Sequence, residues 1–192
     1  MEIDLMKSRY LSFVLLTCAG AAAQDAPIFE LGGQYQMLRV NSSSSIPAFT
    51  ANGGTGSLQV NFFDQVAGVL EVGVQHNGSI GGLQLNNDWL TYLVGPRISL
   101  RNRGKKVIPA LEVLLGGATV FGSGTDRITS NHFSSNTTGF ALATGGTLDI
   151  RLTRMIAFRP IQLDWLLTRI NNSTNQHNLR YGAGLVFMFG AQ

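Results

Sequence analysis

The sequence predicts an all-β fold, an eight-stranded antiparallel up-and-down transmembrane β-barrel. Three observations lead to this prediction. Apolar and polar residues alternate with a period of two along most of the chain, the segments that alternate are joined by turns and loops of unequal length, and charged residues make up only 13% of the composition. Soluble globular domains carry about 25% charged residues. A chain of 192 residues with 44% hydrophobic residues is also long enough for one domain and too apolar to be disordered.

Residues 1–23 have the features of a cleaved secretory signal peptide. Lys7 and Arg9 precede an apolar run that ends in the small residues Ala21–Ala23, which offer a cleavage site. Cleavage there leaves residues 24–192 as the barrel domain.

Two alternatives stay open within this leader. Translation starts either at Met1 or at Met6, and the second start gives a more basic N-terminal region. Cys18, the single cysteine of the chain, is either lipidated or removed with the leader. Cleavage after Ala23 leaves no thiol, and this excludes disulfides and thiolate chemistry in the mature chain.

Eight segments of alternating residues follow the leader, and most are near the length of a tilted strand that crosses a bilayer. They are residues 29–37, 57–62, 66–75, 88–100, 107–119, 139–151, 155–168 and 178–189. The last segment alternates most regularly. No sustained helical spacing of apolar residues interrupts the series, so the prediction contains strands only.

The seventh segment breaks the alternation in an informative way. Arg159 and Asp164 carry its polar signal, but they are five residues apart and cannot share a face of a regular strand. A β-bulge near Pro160 would shift the alternation by one and return both side chains to the same face. The sequence therefore predicts a bulge in this strand.

The connections between segments alternate in predicted length. Those at 64–65, 101–106 and 152–154 are short, whereas those at 41–54, 77–87, 121–137 and 170–177 are longer and rich in Asn, Ser, Thr and Gly. Short turns on one side and long polar loops on the other are typical of membrane barrels, and they place both termini on the short-turn side.

The charge distribution decides which face of the barrel points inward. One face carries aliphatic and aromatic residues, and the other carries small and polar residues with nearly all the charges. A soluble barrel around a ligand would need many charges outside, so the composition favours a membrane barrel with a polar lumen. An eight-stranded lumen is just wide enough for side chains to fill. The predicted lumen charge network consists of Glu30, Glu71, Arg97, Glu112, Asp149, Arg151, Arg159, Asp164 and Arg180. The predicted aromatic girdles consist of Phe62, Phe63, Trp89, Tyr92, Trp165 and Phe187.

Two readings of the lumen network stay open. The five acids and four arginines either pair across the lumen and plug it, or form a gate or selectivity ring. The first reading is favoured because the opposite charges are nearly balanced.

Three stretches resemble the small eight-stranded outer-membrane barrels, the porin-family or OmpA-like transmembrane barrel domain. They are Val94–Arg97, Ala157–Pro160 with Asp164–Trp165 downstream, and Tyr181–Phe189, which look like the fourth, seventh and eighth strands of such domains. The resemblance covers about residues 28 to 189. It implies a bacterial outer-membrane location and a final strand that the barrel-assembly machinery reads.

The expected role is a structural or surface-loop binding scaffold with a charge-filled lumen. A narrow porin-like channel for small solutes is the alternative, and a lipid-modifying outer-membrane enzyme is a third possibility. The expected partners are outer-membrane lipids and lipopolysaccharide, with the barrel-assembly machinery during biogenesis. The net charge is +3, and the basic residues cluster locally. This distribution does not favour a nucleic-acid partner. The ligand of the loops is not indicated.

No catalytic, cofactor or metal site is predicted. The three histidines lie in or beside the long loops. Serines lie near them in sequence, but loops this rich in serine would place serines there by chance, so the pattern does not indicate a catalytic Ser–His pair. These histidines are His76, His132 and His177, and the serines are Ser79, Ser130 and Ser134. The basic turn at 101–106 is expected to be solvated on the periplasmic side.

Overall fold

The computed structural model describes residues 26–41, 48–78, 85–101, 105–125, 132–170 and 176–190. They form eight strands: β1 (Phe29–Val40), β2 (Phe49–Asn61), β3 (Val66–Asn77), β4 (Leu85–Ser99), β5 (Val107–Thr125), β6 (His132–Arg151), β7 (Ile156–Ile170) and β8 (Gln176–Phe189). Each strand pairs antiparallel with the next, and β8 pairs with β1 to close the barrel. The predicted fold class and strand count are confirmed. Within these residues, no helix has the length and apolarity needed to span a bilayer.

Several strands extend further than the sequence pattern predicted. β2 begins at Phe49, β5 runs to Thr125 and β6 begins at His132, all inside stretches expected to be loops. The connections on that side therefore span only five to eight residues, against four to seven on the other side. Polar residues such as Thr119 and Thr138 continue the β5–β6 ladder, because a strand that projects beyond a bilayer needs no apolar face.

The register of the barrel shows how far its strands tilt. A line through paired residues leads from Phe29 around all eight strands and returns to β1 at Arg39, ten residues further along. A shear of ten over eight strands tilts each strand by about 40° from the barrel axis. At ~3.3 Å per residue along the strand, Arg39 then lies about 25 Å above Phe29 along that axis.

The two faces of the wall differ as the alternation predicted. Neighbouring residues of β5 illustrate the difference, because Leu111 on the outside is 71% exposed and Glu112 on the inside is 4% exposed. Apolar side chains such as Leu70, Val94 and Leu163 cover the outer wall. Charged and amide side chains occupy much of the interior, which is the reverse of a soluble protein.

The predicted bulge in β7 is confirmed. The register of β7 against β8 shifts between Arg159 and Gln162, and the register against β6 shifts at the same level. Pro160 sits in this irregular stretch, where its missing N–H costs no ladder hydrogen bond. The extra residue returns Asp164 to the same interior face as Arg159, and both side chains are buried.

Aromatic side chains lie on the outer wall near both ends of the apolar band. Phe62 and Phe187 lie near the short-turn end, whereas Tyr92 and Trp165 lie higher on the wall. Trp89 is a correction to the predicted girdle. It shares the inward parity of β4 with Thr91 and Leu93, so its side chain is buried inside the barrel and does not anchor at an interface.

Candidate functional site in the barrel lumen

The interior holds the residues predicted to form the charge network. Eight of the nine are buried: Glu30, Glu71, Arg97, Glu112, Asp149, Arg159, Asp164 and Arg180. Arg151, the ninth, is half-buried at the short-turn end of β6. It has no ion pair within the described parts of the chain. The other eight residues take part in three clusters of contacts.

Arg180 is the centre of the first cluster. Its Nη1 lies 2.7 Å from Glu71 Oε1, and its Nη2 donates to Asp164 Oδ2 at 2.8 Å. Asp164 is the direct cross-strand partner of Arg180 on β7, whereas Glu71 reaches it from β3 across the lumen. All three side chains are removed from solvent, so the paired charges replace the hydration that each has lost.

Asp149 is the centre of the second cluster. Arg159 approaches it with two nitrogens, Nε at 2.6 Å from Oδ1 and Nη2 at 3.0 Å from Oδ2. Arg97 Nη2 donates to Asp149 Oδ2 at 2.9 Å and to Thr147 Oγ1 at 2.5 Å. Arg97 Nη1 also lies 3.8 Å from Glu112 Oε2. A two-nitrogen approach fixes the geometry of an arginine–carboxylate pair as well as adding energy.

Gln162 joins these two clusters. Its Nε2 lies 2.9 to 3.1 Å from carboxylate oxygens of Glu71, Glu112 and Asp164. Its Oε1 accepts hydrogen bonds from Arg159 Nη1 and from Gln34 Nε2 on β1, two strands away. The bulge places this side chain inside, and sequence reasoning missed it because an uncharged residue was not weighed as part of a charge network.

The third cluster lies at the short-turn mouth. Arg101, in the turn after β4, reaches inward to Glu30 Oε1, and Asn61 Nδ2 donates to Glu30 Oε1 at 2.9 Å. Asn61 Nδ2 also lies 2.6 Å from Pro27 O, so the buried Ala26 and Pro27 are fastened across this mouth. Arg101 was missed as a lumen residue because it belongs to the basic turn, which was expected to be solvated.

An apolar layer fills the lumen toward the opposite end. Leu38, Leu93, Leu114 and Leu166 are at most 1% exposed and belong to one buried cluster. The other members of that cluster are Val40, Phe49, Ala51, Val69, Trp89, Ala118, Ala141 and Ala143. Between this layer and the ion pairs, amide and hydroxyl groups such as those of Gln36 bond to one another. The interior is thus closed at successive levels by packed side chains.

Two of the three histidines have side chains in the described part of the chain. His76 Nδ1 lies 2.5 Å from Asp88 Oδ1 on the outer wall, and His177 stacks on Trp165 with ring centroids 5.2 Å apart. The side chains of His132, Ser79, Ser130 and Ser134 lie outside the described residues. Where side chains are described, no three His, Cys, Asp or Glu residues form a group able to bind a metal.

No protein-family model matches the sequence, and no curated protein matches it. Among solved structures, Ail, the attachment invasion locus protein of Yersinia pestis, is similar with a TM-score of 0.63 at 14% identity, over 84% of this chain and 99% of that one. Neisserial surface protein A is similar with a TM-score of 0.60 at 12% identity, over 84% of this chain and 97% of that one.

A third similar structure is the outer membrane protein OprG from Pseudomonas aeruginosa. It has a TM-score of 0.56 at 13% identity, over 88% of this chain and 98% of that one. All three are small outer-membrane barrels. The chain therefore has the fold of the small eight-stranded outer-membrane β-barrels, as the resemblance of its strands implied.

Proposed function

We propose that this chain is an integral protein of a bacterial outer membrane, a structural or loop-presenting scaffold whose lumen is closed to solutes. The continuous apolar outer wall supports the membrane location, since its height of about 25 Å matches the apolar band of outer-membrane barrels. The likeness to Ail, Neisserial surface protein A and OprG supports the same location. Residues 1–23 would act as the export signal and be removed.

The observation that carries the closed-lumen proposal is the succession of packed layers inside the barrel. Ions would have to pass the buried Arg180 pairs and the Asp149 pairs, and then cross an apolar layer that includes Leu114. Displacing a buried ion pair leaves desolvated charges and costs several kcal/mol. An apolar constriction adds a barrier by excluding water.

Planar bilayer recording tests this proposal. The folded full-length mature protein is added to a phosphatidylcholine bilayer, with a general porin as the positive control for insertion. The expected result is no unitary conductance above the baseline while the protein is shown to be inserted by protease protection. Persistent unitary steps from the unmodified protein would overturn the closed lumen and favour the narrow channel for small solutes.

The partners in this proposal follow from location and from the final strand. Lipids and lipopolysaccharide would contact the apolar wall, and the barrel-assembly machinery would read β8, where Tyr181, Leu185 and Phe189 alternate on the outer face. The loops are the surface available to an external ligand. Ail has been solved with the heparin analogue sucrose octasulfate, an example of an anionic ligand on a barrel of this fold.

A further inference from the structure

Among the strand residues whose side chains are described, the outer wall carries very few ionisable groups other than tyrosine, and all of them lie toward the long-loop end. They are Arg39, His76, Asp88, Arg169 and His177. His76 and Asp88 are cross-strand partners on β3 and β4 and bond to each other. The set named here the basic rim consists of Arg39, His177 and Arg169, which lie on the consecutive strands β1, β8 and β7.

The register places the basic rim at one height. Arg39 pairs with Leu179, and His177 lies two residues beyond Leu179 toward the loops. Arg169 lies four residues beyond Trp165, the register partner of Leu179 on β7. The strand tilt lifts each successive strand by about 3 Å along the axis, so the three basic groups lie within about 5 Å of one height. That height is the upper edge of the apolar wall.

Neighbouring contacts hold two of these groups in place without neutralising them. Arg39 Nη1 donates to Thr50 Oγ1 at 3.0 Å, and His177 stacks on the indole of Trp165. The outer faces of β7, β8, β1 and β2 carry no carboxylate within the described ranges. The nearest outer-face acid, Asp88, is on β4 and already bonded to His76. The basic rim therefore has donors and positive charge without an acidic partner from the wall.

We infer that the basic rim binds a phosphate of an anionic lipid in the outer leaflet, specifically the phosphorylated lipid A moiety of lipopolysaccharide. This assignment rests on the outer-membrane location proposed above. Guanidinium groups bind phosphate with charge-assisted hydrogen bonds. Directly below the rim, the exposed apolar side chains Trp165, Leu179 and Tyr181 present the surface that acyl chains of the same molecule would contact.

Trp165 provides a reporter inside the proposed site. The chain has two tryptophans, and the other one, Trp89, is buried in the lumen. Trp89→Phe therefore leaves a single indole stacked on His177. The mature protein with this substitution is placed in phosphatidylcholine nanodiscs, and Trp165 fluorescence is followed as lipopolysaccharide is titrated in. Enzymatically dephosphorylated lipopolysaccharide and inorganic phosphate are titrated in parallel.

The expected result is a saturable change with phosphorylated lipopolysaccharide and none with the dephosphorylated form. Arg39→Gln with Arg169→Gln should weaken binding roughly tenfold or more, because two charged donors are lost. The matched control, Lys105→Gln with Lys106→Gln, removes the same charge from the exposed short-turn end and should leave affinity within about twofold.

Equal affinity in the two double variants, or in the two forms of lipopolysaccharide, would overturn the assignment. Saturation by inorganic phosphate at similar concentration would also overturn it, since the site would then recognise a free anion. Heated and unheated gel mobility of both double variants checks that they are folded. A folded, non-conducting protein without lipid selectivity would refute only the binding of lipid A at the basic rim, and the scaffold proposal would remain.

Discussion

Replacing Arg180 by methionine should remove much of the free energy that keeps the barrel folded. Arg180 is 0% exposed and pairs with Glu71 at 2.7 Å and with Asp164 at 2.8 Å. Methionine fills a similar volume but leaves two buried carboxylates without their shared cation. Gln162 Nε2 is then the remaining donor that both carboxylates share.

The size of the loss follows from the desolvated charges. Removing one partner of a buried ion pair typically costs about 3–5 kcal/mol. Arg180 serves two carboxylates, so the expected loss is near the upper end, about 5 kcal/mol. Adding Glu71→Gln and Asp164→Asn removes both stranded charges, and this triple variant should return to within about 2 kcal/mol of the unmodified protein, because neutral replacement of a whole buried cluster is often tolerated.

Urea unfolding in phosphatidylcholine vesicles provides the assay. Tryptophan fluorescence reports insertion, and gel mobility of unheated samples reports the folded fraction. Arg169→Met is the matched control, since this exposed arginine should contribute less than about 1 kcal/mol. A loss below about 1 kcal/mol for Arg180→Met, or a triple variant no more stable than the single one, would refute the paired-charge reasoning.

Three further perturbations test other levels of the structure. Arg97→Ala should lower stability yet leave planar bilayers silent, because the Arg180 pairs and the apolar layer still close the lumen; unitary conductance from this variant would count against those two levels as seals. Deleting Ile161 should preserve the heat-modifiable band, since a regular strand then spaces Arg159 and Asp164 four residues apart and keeps both side chains in the lumen; a deletion variant without that band would contradict this role of the bulge. Gly145→Val should destabilise the barrel by about 1–3 kcal/mol and lower its thermal midpoint, because a Cβ there would lie 2.7 Å from Asp164 Cα and contact Leu163 O. An unchanged midpoint in a melting scan would show that the neighbouring strand shifts to make room for the side chain.

The strand alternation carried most of the information about the fold. A side-chain period of two assigns every residue of a strand to the wall or to the lumen, so eight alternating segments were enough to predict the barrel. The bulge could also be predicted from the sequence, because Arg159 and Asp164 could share the lumen only if one residue was added between them. In an otherwise apolar strand, an ionisable residue shows which face points to the lumen more clearly than an apolar residue does.

Other features of the site were not accessible from the pattern. Leu93 and Leu114 have the inward parity, but leucine suits lipid and a dry lumen equally, so the apolar layer left no distinct signal. Arg101 lies in a turn, where period-two alternation assigns no face, and its inward reach depends on the closed shape of the mouth. The true ends of β5 and β6 were hidden because polar strands beyond a bilayer have the composition of loops.

Gel electrophoresis in SDS of the bacterial outer-membrane fraction, with and without heating, tests the central claim most directly. We expect the protein in this fraction and a faster migration of the unheated sample, because a closed barrel resists the detergent until it is heated. Recovery of the protein from the soluble periplasmic fraction, with one mobility in both samples, would contradict a membrane barrel with an apolar outer wall.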